Sequence, residues 1–222
     1  YAANHGLVGS WEPVDFGVPF GSPPTILTQV QTTDNETSVM PIEHSTPFLT
    51  VAVDGISEDG FDVALERSEA VPGSVVVPED IGWIAISPNT TGSLTATDGS
   101  IVLWESLSIS PSSSPIGKDD GCTTESVSSS FSSTVPAVVS LNSRNEGDGG
   151  WAIVCSLSSS SLGYAIDEDW YYDSERSHVG EKIGALLFES GIIELDLDAD
   201  DDGIDDTVED GIGTDSSNPD SD

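Results

Sequence analysis

The chain reads as an all-β protein, built as two tandem antiparallel β-sandwich domains with a short Asp-rich segment at the C-terminal end. Three observations predict it. Apolar residues alternate with polar ones at the strand period of two. Three sequence patterns recur in the same order at a near-constant offset. No stretch before residue 190 sustains the 3.6-residue apolar period of a helix.

The elements follow in order. In the first unit, residues 1–108, FGSPPTILTQV (20–30) runs from an aromatic through a small-residue turn and a proline into a β-branched strand. FLTVAV (48–53) is the next strand. SEDGFDVALE (57–66) turns at a glycine and then alternates, with Phe61, Val63 and Leu65 on an inward face and Asp62, Ala64 and Glu66 on an outward one. EDIGWIAIS (79–87) and IVLWES (101–106) complete the unit. Residues 109–121 are rich in Ser, Pro and Gly and read as a linker. The second unit, 122–195, repeats the series as FSSTVPAVVSL (131–141), GWAIVC (150–155), SSLGYAIDE (160–168) and EKIGALLFE (181–189). The first pair of patterns is offset by about 110 residues and the other two by about 102, so both order and spacing are preserved.

Composition narrows the partners. Forty acidic residues stand against five basic ones, Arg67, Lys118, Arg144, Arg176 and Lys182, for a formal net charge of -35. Such a surface has no basic patch to release counterions from phosphates, so nucleic acid is not an expected partner. Anionic lipids are repelled for the same reason, and without a run of eighteen apolar residues no membrane insertion is expected. High salt, divalent cations or neutral partners suit this surface; acidity for solubility alone is the plainer reading. The start, YAANHGLVGSW, lacks the basic and apolar regions of a signal peptide, so Tyr1 reads as a processed terminus or a boundary of the piece. Cys122 and Cys155 stand in a Ser-, Thr-, Gly- and Asp-rich chain of secreted type, which favours one disulfide between them; two unlinked buried thiols are the alternative. Repeat alignment sets Cys122 against Trp11 on a first strand and Cys155 near Val53, both strand positions.

The repeated series resembles a known family. A proline and β-branched strand, then TTDNET or NSRNEGD, then a glycine-aromatic strand, then Glu-x-Ile-Gly and an apolar run is similar to the H-type lectin-like repeat of bacterial surface proteins. The resemblance implies a compact six-stranded sandwich, frequent trimerisation and, in some members, recognition of N-acetylgalactosamine-type sugars. In the second unit it directs attention to Arg144 and Asp148, with Trp170, Tyr171 and His178. Aromatic faces stack on sugar rings, and Asp and Arg fork hydrogen bonds to vicinal hydroxyls. The first unit has Asp34 and Asn35 at the corresponding loop but ERSEAVPGS where an aromatic is wanted. The alternative for Trp170 and Tyr171 is a rim or subunit contact, and for His178 a solvated turn.

DADDDGIDDTVED (198–210) puts eight acidic side chains into thirteen positions around Gly203. Counted from Asp198, the first, third, fifth, ninth and twelfth positions are Asp198, Asp200, Asp202, Asp206 and Glu209, with the glycine sixth and the Ile204 carbonyl seventh. This is the spacing of a calcium loop: carboxylates that would repel one another converge on a hard cation that takes six to eight oxygens. With GIGTDSSNPDSD (211–222) the stretch, taken as residues 196–222, resembles a thrombospondin type 3 repeat, which implies Asp220 and Asp222 as ligands of a second, incomplete loop and a chain that continues beyond Asp222. A disordered acidic tail is the alternative.

His5, His44 and His178 lack metal-ligand spacing, and no phosphate-cradling glycine loop or Gly-x-Ser-x-Gly elbow occurs. No enzyme is expected, although forty carboxylates leave room for the two a glycosidase needs. The expected function is a non-enzymatic extracellular or cell-surface protein of a marine or salt-adapted microbe, binding calcium and acting in adhesion and assembly. Its expected partners are itself, as homo-oligomer or polymer, and neutral or amino-sugar glycans. The alternatives are a structural subunit of a filament, sheath or surface layer, and a soluble oligomeric lectin. NET (35–37) and NTT (89–91) are glycosylation sequons.

Overall fold

The computed structural model describes residues 10–32, 34, 49–67, 77–112, 117–128, 131–147, 149–168 and 176–191. As the sequence predicts, the fold is all-β. Among the described residues the strands are β1 (Glu12–Asp15), β2 (Thr25–Val30), β3 (Leu49–Asp54), β4 (Gly60–Arg67), β5 (Ile81–Ile86), β6 (Thr90–Thr95), β7 (Ile101–Ile109), β8 (Thr123–Ser126), β9 (Ala137–Leu141), β10 (Trp151–Leu157), β11 (Ser161–Asp167) and β12 (Ile183–Phe188). They form sheets in the orders β1-β4-β3, β2-β5, β10-β11-β8 and β6-β7-β12-β9. The pairs β1/β4, β4/β3, β2/β5, β10/β11, β11/β8, β7/β12 and β12/β9 are antiparallel.

The recurring sequence patterns fold alike. β2 and β9 come from the first pattern, β4 and β11 from the second, β5 and β12 from the third. β2 pairs with β5 as β9 pairs with β12, and β4 lies between β1 and β3 as β11 lies between β8 and β10. Each half builds its own apolar core between two sheets. Ile26, Val53, Phe61 and Val63 form the first, with Val14, Val51, Ile81 and Ala85 packed against them. Leu141, Leu162, Tyr164, Ile166, Ile183, Ala185 and Leu187 lie in the second. Side chains buried this fully contribute about 1.5–3 kcal/mol each.

Three details depart from the alternating pattern. Glu66, placed on the outward face by its register with Asp62, is 2% exposed, because it has a cationic partner in the other half. β7, read as the close of the first unit, runs on to Ile109 and pairs with β12, so that Leu107 and Ile109 join the second core. Gly117, inside the expected linker, bridges Ile166 in parallel fashion.

The two halves are sewn together by side chains that imitate a neighbouring strand. The Asn142 amide accepts from the Ile26 N–H at 3.0 Å and donates to the Ile26 carbonyl at 2.6 Å. The Ser140 hydroxyl oxygen accepts from the Thr28 N–H at 3.0 Å, and the Thr25 hydroxyl donates to the Leu107 carbonyl. Gly184 makes room for this seam: a Cβ there would lie 2.6 Å from Asn142 Oδ1 and 2.7 Å from the Ile26 carbonyl oxygen. At the equivalent Gly82 the nearest atoms belong to the movable Gln31 side chain. Gly184→Ala is therefore expected to cost about 1–3 kcal/mol by overpacking, and Gly82→Ala distinctly less. Urea midpoints of the two variants check this; equal losses would remove the special role of Gly184.

Contacts divide the chain into two units, residues 1–93 with 103–190, and residues 94–102 with 191–222. Within the described part of the second unit, the Ala96 N–H bonds the Ser100 carbonyl and the Gly99 N–H the Ala96 carbonyl, with Gly99 at φ 82°. Asp98 accepts from the Ser100 N–H at 2.9 Å, and hydrogen bonding to Ser100 holds its carboxyl below the usual value. The Asp-rich residues 196–222 lie outside the described residues.

Candidate functional site

Polar side chains concentrate where the loop after β9 meets the segment that leads into β12. The simplest part is a carboxylate clasp. Glu181 accepts from the Ser143 hydroxyl at 2.5 Å, the Asn145 N–H at 2.6 Å and the Glu146 N–H at 3.2 Å, while Ser143 Oγ accepts from the Lys182 N–H. The first repeat builds the same clasp from TTDNET and Glu79. Glu79 accepts from the Thr32 hydroxyl at 2.5 Å and the Asp34 N–H at 3.0 Å, and Thr32 Oγ1 accepts from the Asp80 N–H. A device made twice at equivalent positions belongs to the fold.

Around the second clasp stand groups without a counterpart among the described residues of the first. His178 is 2% exposed. With its proton on Nδ1, the ring donates to the Val179 carbonyl at 2.8 Å. Nδ1 lies 3.6 Å from Glu146 Oε2, and Nε2 lies 3.7 Å from Glu168 Oε1. Glu146 also accepts from the Val179 N–H at 2.6 Å, so each of the two segments lends the other a carboxylate. Arg144 Nε donates to Glu66 Oε1 at 2.5 Å, with the two side chains 7% and 2% exposed, and its Nη2 donates to the Gly147 carbonyl. Arg176 Nε donates to Asp167 Oδ1 at 2.6 Å. Two of the chain's few cations thus serve buried carboxylates.

Burial pushes the Glu181 carboxyl above its ordinary 4.5, and the bonds from Ser143, Asn145 and Glu146 and the nearby His178 oppose the rise. A carboxyl raised in the folded state holds its proton more tightly folded than unfolded. Its contribution is complete below the unfolded pKa and declines as pH rises through the folded one. Stability owed to Glu181 is therefore expected to fall from about pH 4.5 upward, and Glu181→Gln to flatten that part of the curve. Urea midpoints from about pH 4 to 8 test it; parallel curves for the two proteins would refute it.

The structure sets His178 beside Glu146 and Glu168 and gives Arg144 to Glu66 and the Gly147 carbonyl, as ion-pair and packing groups. Asp34 stands apart from them in the first repeat, where its N–H is bound by Glu79. Asp148, Trp170, Tyr171 and Asn35 lie outside the described residues, as do Asp198, Asp200, Asp202, Ile204, Asp206, Glu209, Asp220 and Asp222. Among the described residues no group of three or more His, Cys, Asp or Glu is placed to hold a metal ion. Cys122 and Cys155 are joined in a disulfide, with Cα atoms 6.3 Å apart. Cys155 is the residue at which the β10–β11 register shifts, an irregularity no strand pattern announces.

A second feature went unread in the sequence. An open groove of about 370 Å³ is lined by Asn89, Ser108, Thr123, Glu125 and Tyr164, among others. Burial, reinforced by the Glu125 charge, pushes the Tyr164 hydroxyl above its ordinary value. Its lining comes from three separate strands, β7, β8 and β11, with the turn at Asn89 and the segment after β7, so no local motif could mark it. No family model matches the chain, and no curated protein or solved structure is found similar to it.

Proposed function

We propose that this chain is a non-enzymatic secreted surface protein for adhesion and extracellular assembly, with calcium bound by its Asp-rich segment. The observation that carries the reading is the repeat itself. The same strand pairings and the same clasp, made twice in one chain, are what a modular surface protein is built from. The disulfide supports an oxidising compartment. Among the described residues no helix is long and apolar enough to cross a membrane. The acid excess supports life in salt or beside divalent cations.

Calcium would be held by Asp198, Asp200, Asp202, Asp206 and Glu209 with the Ile204 carbonyl, and Asp220 and Asp222 would begin a second loop. The metal supplies the free energy that so apolar-poor a stretch cannot gain by burial. Titration calorimetry of the full chain is expected to show calcium uptake that Asp200→Asn with Asp202→Asn weakens by roughly tenfold or more. Limited proteolysis is expected to spare residues 196–222 in calcium and trim them in chelator. Equal cleavage in both would remove the metal from this reading. Electron microscopy of the purified chain in calcium tests assembly, with ordered polymers expected.

The groove beside Tyr164 favours the lectin alternative, since hydroxyls, an amide and one carboxylate around an aromatic suit a neutral sugar. Discrete trimers and glycan-array binding lost in Glu125→Ala would establish it in place of assembly.

A further inference from the structure

We propose that the outward edge of β5 is the seat of a second copy of this chain, which adds its own β5 antiparallel across a two-fold axis at Trp83. The argument begins with hydrogen-bond parity. The Gln31 N–H donates to the Asp80 carbonyl, and the register pairs Val30 with Ile81, Gln29 with Gly82 and so on to Thr25 with Ile86. Gly82, Ile84 and Ile86 therefore bond β2, and the N–H and C=O groups of Ile81, Trp83 and Ala85 point the other way. β2 shows the same parity, because its outward groups at Ile26 and Thr28 are those that Asn142 and Ser140 cap. Among the described residues no such cap serves β5. Among the described residues β5 pairs with β2 alone, and the outward groups of Ile81, Trp83 and Ala85 make no hydrogen bond. An uncapped apolar edge is a template for pairing.

The second repeat shows what an edge of this kind takes. β12 is the counterpart of β5, and its equivalent residues Ile183, Ala185 and Leu187 stand opposite Ile109, Leu107 and Glu105 of β7. The ladder continues from the Glu189 N–H to the Leu103 carbonyl, which fixes the same parity. An antiparallel strand thus completes the second repeat where the described residues of the first supply none. β7 is engaged by β12 and cannot serve both.

Charge and symmetry select a second copy as the occupant. β5 holds no charged residue, in a chain of net charge -35. Two-fold pairing at Trp83 sets Ile81 opposite Ala85 and Gly82 opposite Ile84 of the second copy, and it sets Glu79 and Asp80 opposite Ser87 and Ile86. No carboxylate faces another along the strand, a condition that a self-contact of so acidic a chain has to meet. The pairing also covers surface left in water. Ile84 is 56% exposed and Trp83 43%, although the Trp83 ring already packs on Phe16 and Phe61 at 5.9 and 5.6 Å. The symmetric contact is closed, so it makes a dimer and leaves other faces to any larger array. It rests on the assembly reading for its biological use alone.

Sedimentation of the full chain at low and high salt tests this, with two variants. Ile84→Glu places a carboxylate on an exposed side chain. Ala85→Pro removes an outward N–H that makes no hydrogen bond among the described residues, at an edge position where proline is tolerated. The wild-type chain is expected to dimerise, more tightly at high salt as its charge is screened. Each variant is expected to weaken the dimer by roughly tenfold or more; Ile84→Glu is expected to keep an unfolding midpoint close to wild type, and if Ala85→Pro, whose side chain packs on the first core, fails to fold, Ile84→Glu still decides. A dimer indifferent to the variants would overturn this edge and leave the assembly reading standing. A monomer at every salt concentration would overturn it too, as would a monomer that binds a synthetic strand of β7 sequence. A dimer sensitive to the variants that never grows further keeps the edge and removes polymerisation.

Discussion

Arg144→Met is expected to lower the unfolding free energy by about 3–5 kcal/mol, the range for breaking a buried ion pair by removing one partner. The guanidinium and the Glu66 carboxylate are both almost wholly out of water, and Arg144 also holds the Gly147 carbonyl. Removing the cation leaves the carboxylate in a low-dielectric place without the charge that compensates it. Adding Glu66→Gln to the first change should recover most of the loss, because a neutral amide is far cheaper to bury. Urea denaturation followed by circular dichroism gives all of the values. A single variant within about 0.5 kcal/mol of wild type would show that the pair does not join the halves. The same measurement bears on sugar binding, since a guanidinium occupied by Glu66 and Gly147 is not free to fork a ligand's hydroxyls.

Removing the disulfide, as Cys122→Ala with Cys155→Ala, is expected to cost roughly 3–4 kcal/mol in the chain-entropy model. The sequence separation is 33 residues. The effect should be concentrated in one sheet. β8 is a four-residue edge strand held to β11 by a short register from Thr123 to Ser126, and the bond ties the residue just before it to β10. Hydrogen exchange in reductant should therefore quicken first in β8 and β10, with β2 to β5 unchanged. Uniform quickening across both halves would mean that they unfold as one block.

What the sequence revealed and what it hid follow from the range of the interactions. Strand identity is local: alternation at 61–66 and β-branched runs at 25–30 and 137–141 mark strands wherever they stand, and the repeats pointed to equivalent pairings. β6 escaped notice, and β8 was marked only by repeat alignment at Cys122, because Thr- and Ser-rich segments such as Thr90–Thr95 carry no apolar face of their own. The buried charges were hidden for a different reason. Glu66 and Glu105 occupy strand positions that look polar, and partners 78 and 23 residues away, Arg144 and Ser128, help to make their burial tolerable. His178 reads as a turn residue until β11 and the loop after β9 close over it. Residues that imitate a strand, such as Asn142, have no sequence signature, since an asparagine in a loop is the ordinary case.

The Asn142 bridge also bears on how the protein is made. Ile26 emerges from the ribosome 116 residues before the amide that caps it. At ordinary synthesis rates this is a delay on the order of 10 s, during which β2 and β5 both present bare edges while neighbouring nascent chains offer identical ones. A first half that folded at once would be a sticky two-edged ribbon. A first half that stays unfolded until residue 142 is available presents no such ribbon, so the cap at Ile26 ties the safe folding of the first half to the synthesis of the second.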